Sequence, residues 1–325
     1  MRFSVCFAPS FHKLRSCLFT KLHSATFSCC IHRMACGELN VAKGNGVEVL
    51  EKVEGFEDRR NTLLFGARKS GVEGSYIPQR TVVFFPGDVQ NFENIMKHHE
   101  ANQKWKEWTF ESNVRMLQHR FPDAQVVMVT PSRRVDETFS CYGNFMETDV
   151  LGSPTSYEYR HAWEHLRLLI QNARKCITEK PSAEGVDPAG EKVTESSLTV
   201  IGFSKGCTVL NQLMYELESA CSDQAILAFI RRVEAFYWLD GGHAGTVSTY
   251  VTDDSVLRAV ANLKATFNVH VTPYQVKDEG RPHIGEDHLQ FISKLMSYGA
   301  DVKSTLHFRD ESRSLKRHFE VLKLF

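Results

Sequence analysis

The feature that most constrains the fold is a Gly-x-Ser-x-Gly motif between an apolar strand pattern and an apolar helix pattern. The motif, GFSKG at 202–206, completes the apolar run 197–203 and opens a helical spacing of apolar residues over 205–220. A serine at so tight a strand-to-helix turn has a strained backbone and holds its hydroxyl above the sheet. Glycine on both sides lets helix and strand approach without Cβ clashes. We therefore predict that Ser204 is a nucleophile; a Gly-Ser turn without chemistry is the alternative.

Strand and helix patterns alternate along most of the chain. Two patterns, 46–53 and 61–67, predict an antiparallel hairpin, and later apolar runs predict strands separated by amphipathic helices. The predicted strands are 81–85, 124–129, 197–203, 233–239, 268–272 and 302–308, and the predicted helices are 107–120, 157–177, 205–220, 253–267, 285–298 and 312–322. Such alternation favours one mostly parallel, doubly wound sheet. With a hairpin before it and an elbow in its middle, this order predicts an α/β-hydrolase fold.

Composition divides the chain into a leader and one folded domain. The first 37 residues contain no Asp or Glu, and their five Lys or Arg stand among Ser, Phe, Leu and Cys. A basic, serine-rich, acid-poor leader is typical of a mitochondrial transit peptide, and a secretory signal or a disordered tail is the alternative. We predict a transit peptide at 1–37, location in the mitochondrial matrix, and one domain at 38–325. The polar stretch 180–197, with its Pro, Gly and Glu, predicts a flexible surface insertion.

Charge and residue usage argue against several classes of partner. Lys plus Arg and Asp plus Glu both number 39, so the totals indicate no basic surface for nucleic acid. No uncharged apolar run reaches the roughly 18 residues of a transmembrane helix. Five of the nine cysteines lie in the first 36 residues, and the others show no CxxC or Cys/His spacing. We therefore predict no metal. A nucleotide-binding Rossmann protein is disfavoured because no glycine-rich phosphate loop follows the first parallel strand, and we predict no cofactor.

The oxyanion hole of such a fold has two backbone donors whose positions follow from the strand order. One is the amide after the nucleophile, here Lys205, and the other comes from the turn after an earlier strand. That turn follows the strand 81–85, where the amide of Asp88 or Val89 is the candidate. The alternative for this Pro-Gly segment is a plain β-turn.

A base and an acid are expected after later strands, in the order Ser, acid, His. His318 is the histidine that follows the last predicted strand, and it is our candidate base; a solvated histidine on a basic helix is the alternative. Asp278 and Asp240 each follow a predicted strand, where the carboxyl ends of strands meet the crevice. We favour Asp278 slightly, and Asp240 could instead stabilise a tight Asp-Gly-Gly turn. His243 is a candidate for a supporting role.

Several strings of the sequence together resemble one protein family. They are FFPGDVQNF at 84–92, IGFSKGCTVLNQL at 201–213, YWLDGGHAG at 237–245, VHVTPYQVKD at 269–278 and RHFEV at 317–321. They are similar to the vertebrate family named after an open reading frame on human chromosome two, from Arg80 onward. The resemblance implies a mitochondrial location, a hydrolase fold and an association with respiratory-chain function.

These features favour a serine hydrolase whose partner is a small-molecule ester or thioester of acyl or lipid type. Phe92, Trp105, Trp108 and the loop 139–145 are candidates for an acyl pocket, although burial in the core is the more common role of aromatic residues. The alternative function is a catalytically silent hydrolase-fold protein that acts as a scaffold or binding protein in mitochondria. The sequence names no protein partner.

Overall fold

A nine-stranded sheet forms the centre of the domain. The computed structural model describes residues 39–41, 46–66, 80–178 and 196–325, all within one unit, Cys36–Phe325. The strands are β1 (Leu39–Val41), β2 (Val47–Glu54), β3 (Arg60–Gly66), β4 (Arg80–Phe85), β5 (Ala124–Val129), β6 (Arg133–Val135), β7 (Phe139–Cys141), β8 (Ser197–Phe203), β9 (Val233–Leu239), β10 (Thr266–Val271) and β11 (Asp301–Leu306). The helices are α1 (Glu93–His98), α2 (Phe110–Arg120), α3 (Ala162–Thr178), α4 (Cys207–Tyr215), α5 (Leu217–Ala220), α6 (Gln224–Ile230), α7 (Asp254–Ala261), α8 (Pro273–Val276), α9 (His283–Ser297) and α10 (Leu315–Leu324), with 3₁₀ helices at Gln103–Trp108 and Ser204–Gly206.

The strand order confirms the predicted fold class. The large sheet runs β1-β2-β3-β5-β4-β8-β9-β10-β11, and β6 pairs with β7 in a separate ribbon. β2 and β3 form the predicted antiparallel hairpin, and the six strands from β5 to β11 in this order are parallel. β5 lies between β3 and β4, whereas β8 lies on the other side of β4, so the chain changes direction across the sheet after β5. An antiparallel hairpin followed by this crossed parallel order is the α/β-hydrolase fold.

Alternate residues of the central strands point to opposite faces, and both faces are covered. In β4, Val83 and Phe85 join the core on one face, with α3, α4 and α9. Val82 and Phe84 join the core on the other face, with α2 and α10. Burial on both faces explains why the strand reads as an uninterrupted apolar run.

Four predicted helices differ from the structure by three or more residues at one end. The pattern 312–322 is helical only from Leu315, and the pattern 253–267 is helical only to Ala261, because β10 begins at Thr266. The pattern 107–120 contains a break, because Trp108 ends a 3₁₀ helix and Thr109 caps α2 by accepting from the Ser112 amide. The pattern 157–177 is helical only from Ala162 onward. In the patterns 107–120 and 157–177, the apolar spacing begins before the helix itself, so periodicity alone does not show where the helix starts.

Several predictions fall on residues outside the described ranges. These are the leader 1–37 and most of the insertion 180–197. Within the described ranges, no helix combines the length and apolar character that crossing a membrane requires.

Candidate active site

The elbow places Ser204 where β8 passes into helix. Ser204 has a φ of +51° and is 8% exposed, so its backbone lies in the left-handed region that serine rarely adopts. Such strain persists where the surroundings enforce it, often at functional sites. A Cβ atom on Gly206 would lie 2.0 Å from the Phe85 carbonyl oxygen. One on Gly202 would lie 2.8 Å from backbone atoms of Cys207. The two glycines therefore allow the close approach that the turn needs.

The Pro-Gly turn after β4 lies directly against Ser204. A Cβ atom on Gly87 would come within 2.6 Å of the Ser204 Cβ and 3.1 Å of the Phe203 carbonyl oxygen. The end of β4 pairs with the end of β8, with Phe85 opposite Gly202. The turn and the elbow therefore lie side by side at the carboxyl edge of the sheet.

The amides of this turn differ in whether the protein already binds them. The Gly87 N–H donates to Gln90 Oε1 at 2.8 Å, and the Val89 N–H donates to the Thr138 carbonyl at 2.7 Å. Val89 therefore has no N–H left for an oxyanion, and we drop it as a candidate. Across the described ranges, the Asp88 N–H has no acceptor. Asp88 is thus the candidate whose amide can bind a substrate oxygen.

Residues in and directly after β7 bind the carbonyl groups of the Pro86-Gly87 turn. The Tyr142 hydroxyl donates to the Pro86 carbonyl at 2.6 Å, and the Ser140 hydroxyl donates to the Gly87 carbonyl at 2.8 Å. Burial raises the pKa of Tyr142 well above its usual value, so this hydroxyl remains a donor. The Gly87 carbonyl belongs to the same planar peptide group as the Asp88 N–H, so the hydrogen bond from Ser140 restrains the direction of that N–H.

His318 and Asp240 form a buried pair at the same edge of the sheet. His318 Nδ1 lies 2.7 Å from Asp240 Oδ2, and the two residues are 3% and 0% exposed. Asp240 also accepts from the Thr272 amide at 2.7 Å and from its hydroxyl at 2.6 Å. A carboxylate without a proton only accepts, so Nδ1 donates to it, and in a neutral imidazole Nε2 is then the acceptor. That is the tautomer a general base requires.

Two aromatic rings hold the imidazole next to the elbow. The His318 ring centroid lies 4.7 Å from that of Phe203, the residue before Ser204, and 4.8 Å from that of Tyr274. Among the described residues, no hydrogen bond joins the Ser204 hydroxyl to the imidazole. Such bonds are often long before substrate binds and shorten in the complex.

Asp278, the acid favoured by the sequence, does not contact the base. Its carboxylate lies 2.8 Å from Arg281 and 2.7 Å from Arg313. Arg313 also donates to the Tyr274 carbonyl at 3.0 Å. Asp278 therefore ties together the loops around the site, and Asp240 is the carboxylate that holds His318.

His243 lies near this cluster without joining the pair. Its Nδ1 accepts from the Gly245 amide at 3.1 Å, and its carbonyl accepts from Arg281 at 3.4 Å. Burial lowers its pKa to about 4, so it is neutral at physiological pH. Within the described ranges, no group of three or more His, Cys, Asp or Glu residues could hold a metal ion.

The aromatic residues considered for an acyl pocket pack into the core instead. Trp105 and Trp108 lie 5.1 and 5.7 Å from Phe319, measured between ring centroids. Phe92 packs against Phe110 at 5.2 Å. The two tryptophan rings therefore support α10, the helix that carries His318.

Two side chains of the site were missed by the sequence analysis. Thr272 directly follows β10 and binds Asp240 through both its amide and its hydroxyl. Lys205 extends its side chain to Asp88 and to the Leu151 carbonyl. A polar residue directly after a strand was the available signal for Thr272; Lys205 had none, because its partners are distant in sequence.

Comparison with known proteins identifies the family. The family model described as C2orf69 matches residues 49–189 and 178–301. The chain belongs to the C2orf69 family. Mitochondrial protein C2orf69 of Homo sapiens is 35% identical over 329 residues, covering 85% of this chain and 86% of the human protein. The Danio rerio homolog of mitochondrial protein C2orf69 is 40% identical over 247 residues, covering 75% of this chain and 72% of the zebrafish protein.

A solved structure is similar to this C2orf69-family chain at the level of the fold. The puromycin-hydrolyzing peptidase of Mycobacterium tuberculosis has a TM-score of 0.43 and 11% sequence identity, covering 84% of this chain and 37% of that chain. The fold assignment itself rests on the strand order described above.

Proposed function

We propose that this C2orf69-family protein is a serine hydrolase, with Ser204 as nucleophile, His318 as general base and Asp240 as the acid that orients the base. The observation that carries the proposal is the buried 2.7 Å hydrogen bond between Asp240 and His318, beside the elbow. A carboxylate that binds Nδ1–H leaves Nε2 available for the nucleophile's proton. Burying a carboxylate costs free energy, which the hydrogen bonds that Asp240 accepts from Thr272 and His318 offset.

The proposed reaction begins with attack of Ser204 Oγ on the carbonyl carbon of an ester or thioester, while its proton passes to Nε2 of His318. The C=O π electrons move to the oxygen, which accepts hydrogen bonds from the amides of Asp88 and Lys205. Collapse of this intermediate breaks the bond to the leaving alcohol or thiol, which takes the proton from His318. Water then attacks the acyl-enzyme with His318 as base, which releases the acid and restores Ser204.

Two exposed apolar side chains support an acyl or lipid-type substrate. Val150 is 79% exposed and Leu151 is 42% exposed, at the tip of a turn whose Leu151 and Ser153 amides donate to Asp149. The Leu151 carbonyl accepts from Nζ of Lys205, the residue after the nucleophile. The tip therefore lies close to the elbow. Covering it with an alkyl chain is favourable by roughly 25 cal/mol per Å² of apolar surface.

The test is covalent capture by a fluorophosphonate probe, read by gel fluorescence and intact mass. Wild-type protein is expected to gain one probe adduct, and Ser204→Ala is expected to gain none. Because the elbow hydroxyl makes little contribution to stability, thermal melting of Ser204→Ala should change by about 1 kcal/mol or less. Ser222→Ala removes an exposed serine and is the matched control.

The scaffold function is the outcome that opposes this proposal. A folded wild-type protein that stays unlabelled, while a known serine hydrolase reacts beside it, would favour a silent binding protein. Labelling that persists in Ser204→Ala would place the nucleophile elsewhere and contradict the assignment of Ser204.

The proposed location is the mitochondrial matrix. The human and zebrafish relatives of this protein are named mitochondrial proteins, and residues 1–37 have a transit-peptide composition. A tagged protein without residues 1–36 is expected to stay in the cytosol, whereas the full chain should resist protease in intact mitochondria. Import without the leader would contradict this. Support of respiratory-chain function predicts lower oxygen consumption in cells that carry only Ser204→Ala.

A further inference from the structure

The side chain of Lys205 is buried beside the nucleophile and pairs with Asp88. It is 4% exposed, and its Nζ lies 2.8 Å from Asp88 Oδ2 and 2.9 Å from the Leu151 carbonyl oxygen. The other carboxylate oxygen of Asp88 accepts from the Ser140 amide at 2.7 Å. The ring of Phe139 covers the ammonium group, with its centroid 5.4 Å from Nζ. Both ends of the ion pair are therefore fixed, and the lysine end is shielded from water.

The residues of this pair are also the two whose backbone amides are the proposed oxyanion donors. Lys205 follows the nucleophile at the end of β8, and Asp88 belongs to the turn at the end of β4. These strands are neighbours in the sheet, and the two amides lie in different segments, one in the turn after β4 and the other in the elbow after β8. The side-chain bridge therefore links one donor segment to the other directly.

We propose that the Lys205–Asp88 ion pair is a positioning device that keeps the two oxyanion amides at a fixed spacing. The inference rests on the proposed serine-hydrolase function. Backbone donors stabilise the developing negative charge only if they are already oriented when the charge appears. Loss of one donor typically lowers kcat by about 10²–10³-fold, so a shifted Asp88 amide should have an effect that approaches this size.

A variant that removes both charges separates positioning from stability. Removing one partner of a buried ion pair leaves an uncompensated charge and destabilises the fold, whereas replacing both partners by neutral groups is often neutral. Asparagine at 88 retains an oxygen that accepts from the Ser140 amide. The double variant Lys205→Met/Asp88→Asn should therefore fold and yet lack the bridge.

The experiment measures kinact and KI for a fluorophosphonate with the full-length protein, together with thermal melting. The double variant is expected to lose about 10²-fold in kinact with KI unchanged, because the transition state loses a donor and ground-state binding does not. Lys205→Arg keeps the charge and is expected to retain more of kinact than the double variant. Lys294→Met is the matched control, since Lys294 also bridges an aspartate, Asp254, and a backbone carbonyl, that of Thr252.

The outcomes separate this inference from the function on which it rests. An unlabelled wild type overturns the serine-hydrolase proposal and the positioning role with it. A labelled wild type and a folded double variant with wild-type kinact overturn the positioning role alone, as does a loss confined to KI. If the double variant does not fold, Asp88→Glu keeps both charges but lengthens the bridge. Its kinact should fall, and a wild-type value would refute the inference.

Discussion

His165 makes the stability of this protein sensitive to mild acid. The residue is fully buried, its Nδ1 accepts from the Phe56 amide at 3.0 Å, and its Nε2 lies 2.8 Å from Asn61 Oδ1. Burial, followed by the charge of Arg59, lowers the pKa of His165 from 6.5 to about 3. The folded protein therefore keeps this imidazole neutral at pH values where the unfolded chain binds a proton.

The sign and size of the effect follow from this difference in pKa. Above the unfolded pKa of 6.5 neither state binds the proton, and the contribution of His165 is fully present. Between 6.5 and about 3 the unfolded state binds one more proton, so the free energy of unfolding falls as pH falls. The slope is about 1.4 kcal/mol per pH unit, which amounts to roughly 2 kcal/mol at about pH 5.

Urea unfolding of wild type and His165→Gln at about pH 7 and about pH 5 measures this contribution. Glutamine retains one donor and one acceptor but does not titrate, so the wild type should lose roughly 2 kcal/mol more than the variant on acidification. His98→Gln changes an exposed histidine and is the control, with a loss equal to that of wild type. Equal losses in wild type and His165→Gln would refute the reasoning.

Three further predictions concern the site. Asp240→Asn should slow fluorophosphonate labelling by about 10⁴-fold, whereas Asp278→Asn should affect melting more than labelling; the reverse ranking would restore Asp278 as the acid. Gly206→Ala should lower the free energy of unfolding by about 1–3 kcal/mol or more, because its Cβ would meet a carbonyl oxygen. Gly143→Ala should leave the free energy of unfolding unchanged, because a Cβ atom has space at this position. Equal melting of the two variants would contradict this interpretation of the elbow. Serine at both positions of the tip 150–151 should slow hydrolysis of long-chain p-nitrophenyl esters but not of the acetate; an unchanged chain-length profile would remove the tip from the substrate site.

The strands could be predicted because their sequence pattern follows from their burial. β8 has the predicted bounds, Ser197–Phe203, since a central strand covered on both faces is apolar throughout. The start of α3 could not be predicted in the same way. The amides of Arg160 and Ala162 donate to the carboxylate of Glu216, and His161 between them has a φ of +59°. The helix begins where it does because of a partner more than 50 residues away.

The choice between the two candidate acids also depends on contacts that the sequence pattern does not show. Asp240 and Asp278 both follow parallel strands, so strand order alone does not separate them. The choice depends on Arg281 in the same loop and Arg313 in a later one, which both engage Asp278, and on Thr272, which binds Asp240. The elbow was predictable because its residues are consecutive, whereas these contacts are not.

Helix α10 is the last element along the chain, so the site is completed only when this helix docks. It follows every strand of the sheet along the chain, and it contributes both His318 and the core residue Phe319. During synthesis, Ser204 and Asp240 emerge long before His318. On the proposed chemistry, a chain whose α10 has not docked holds an unactivated serine and is harmless to nearby esters. Turnover would then indicate that folding is complete. Helix content measured by spectroscopy would not distinguish the complete fold from a chain in which only α10 has not docked.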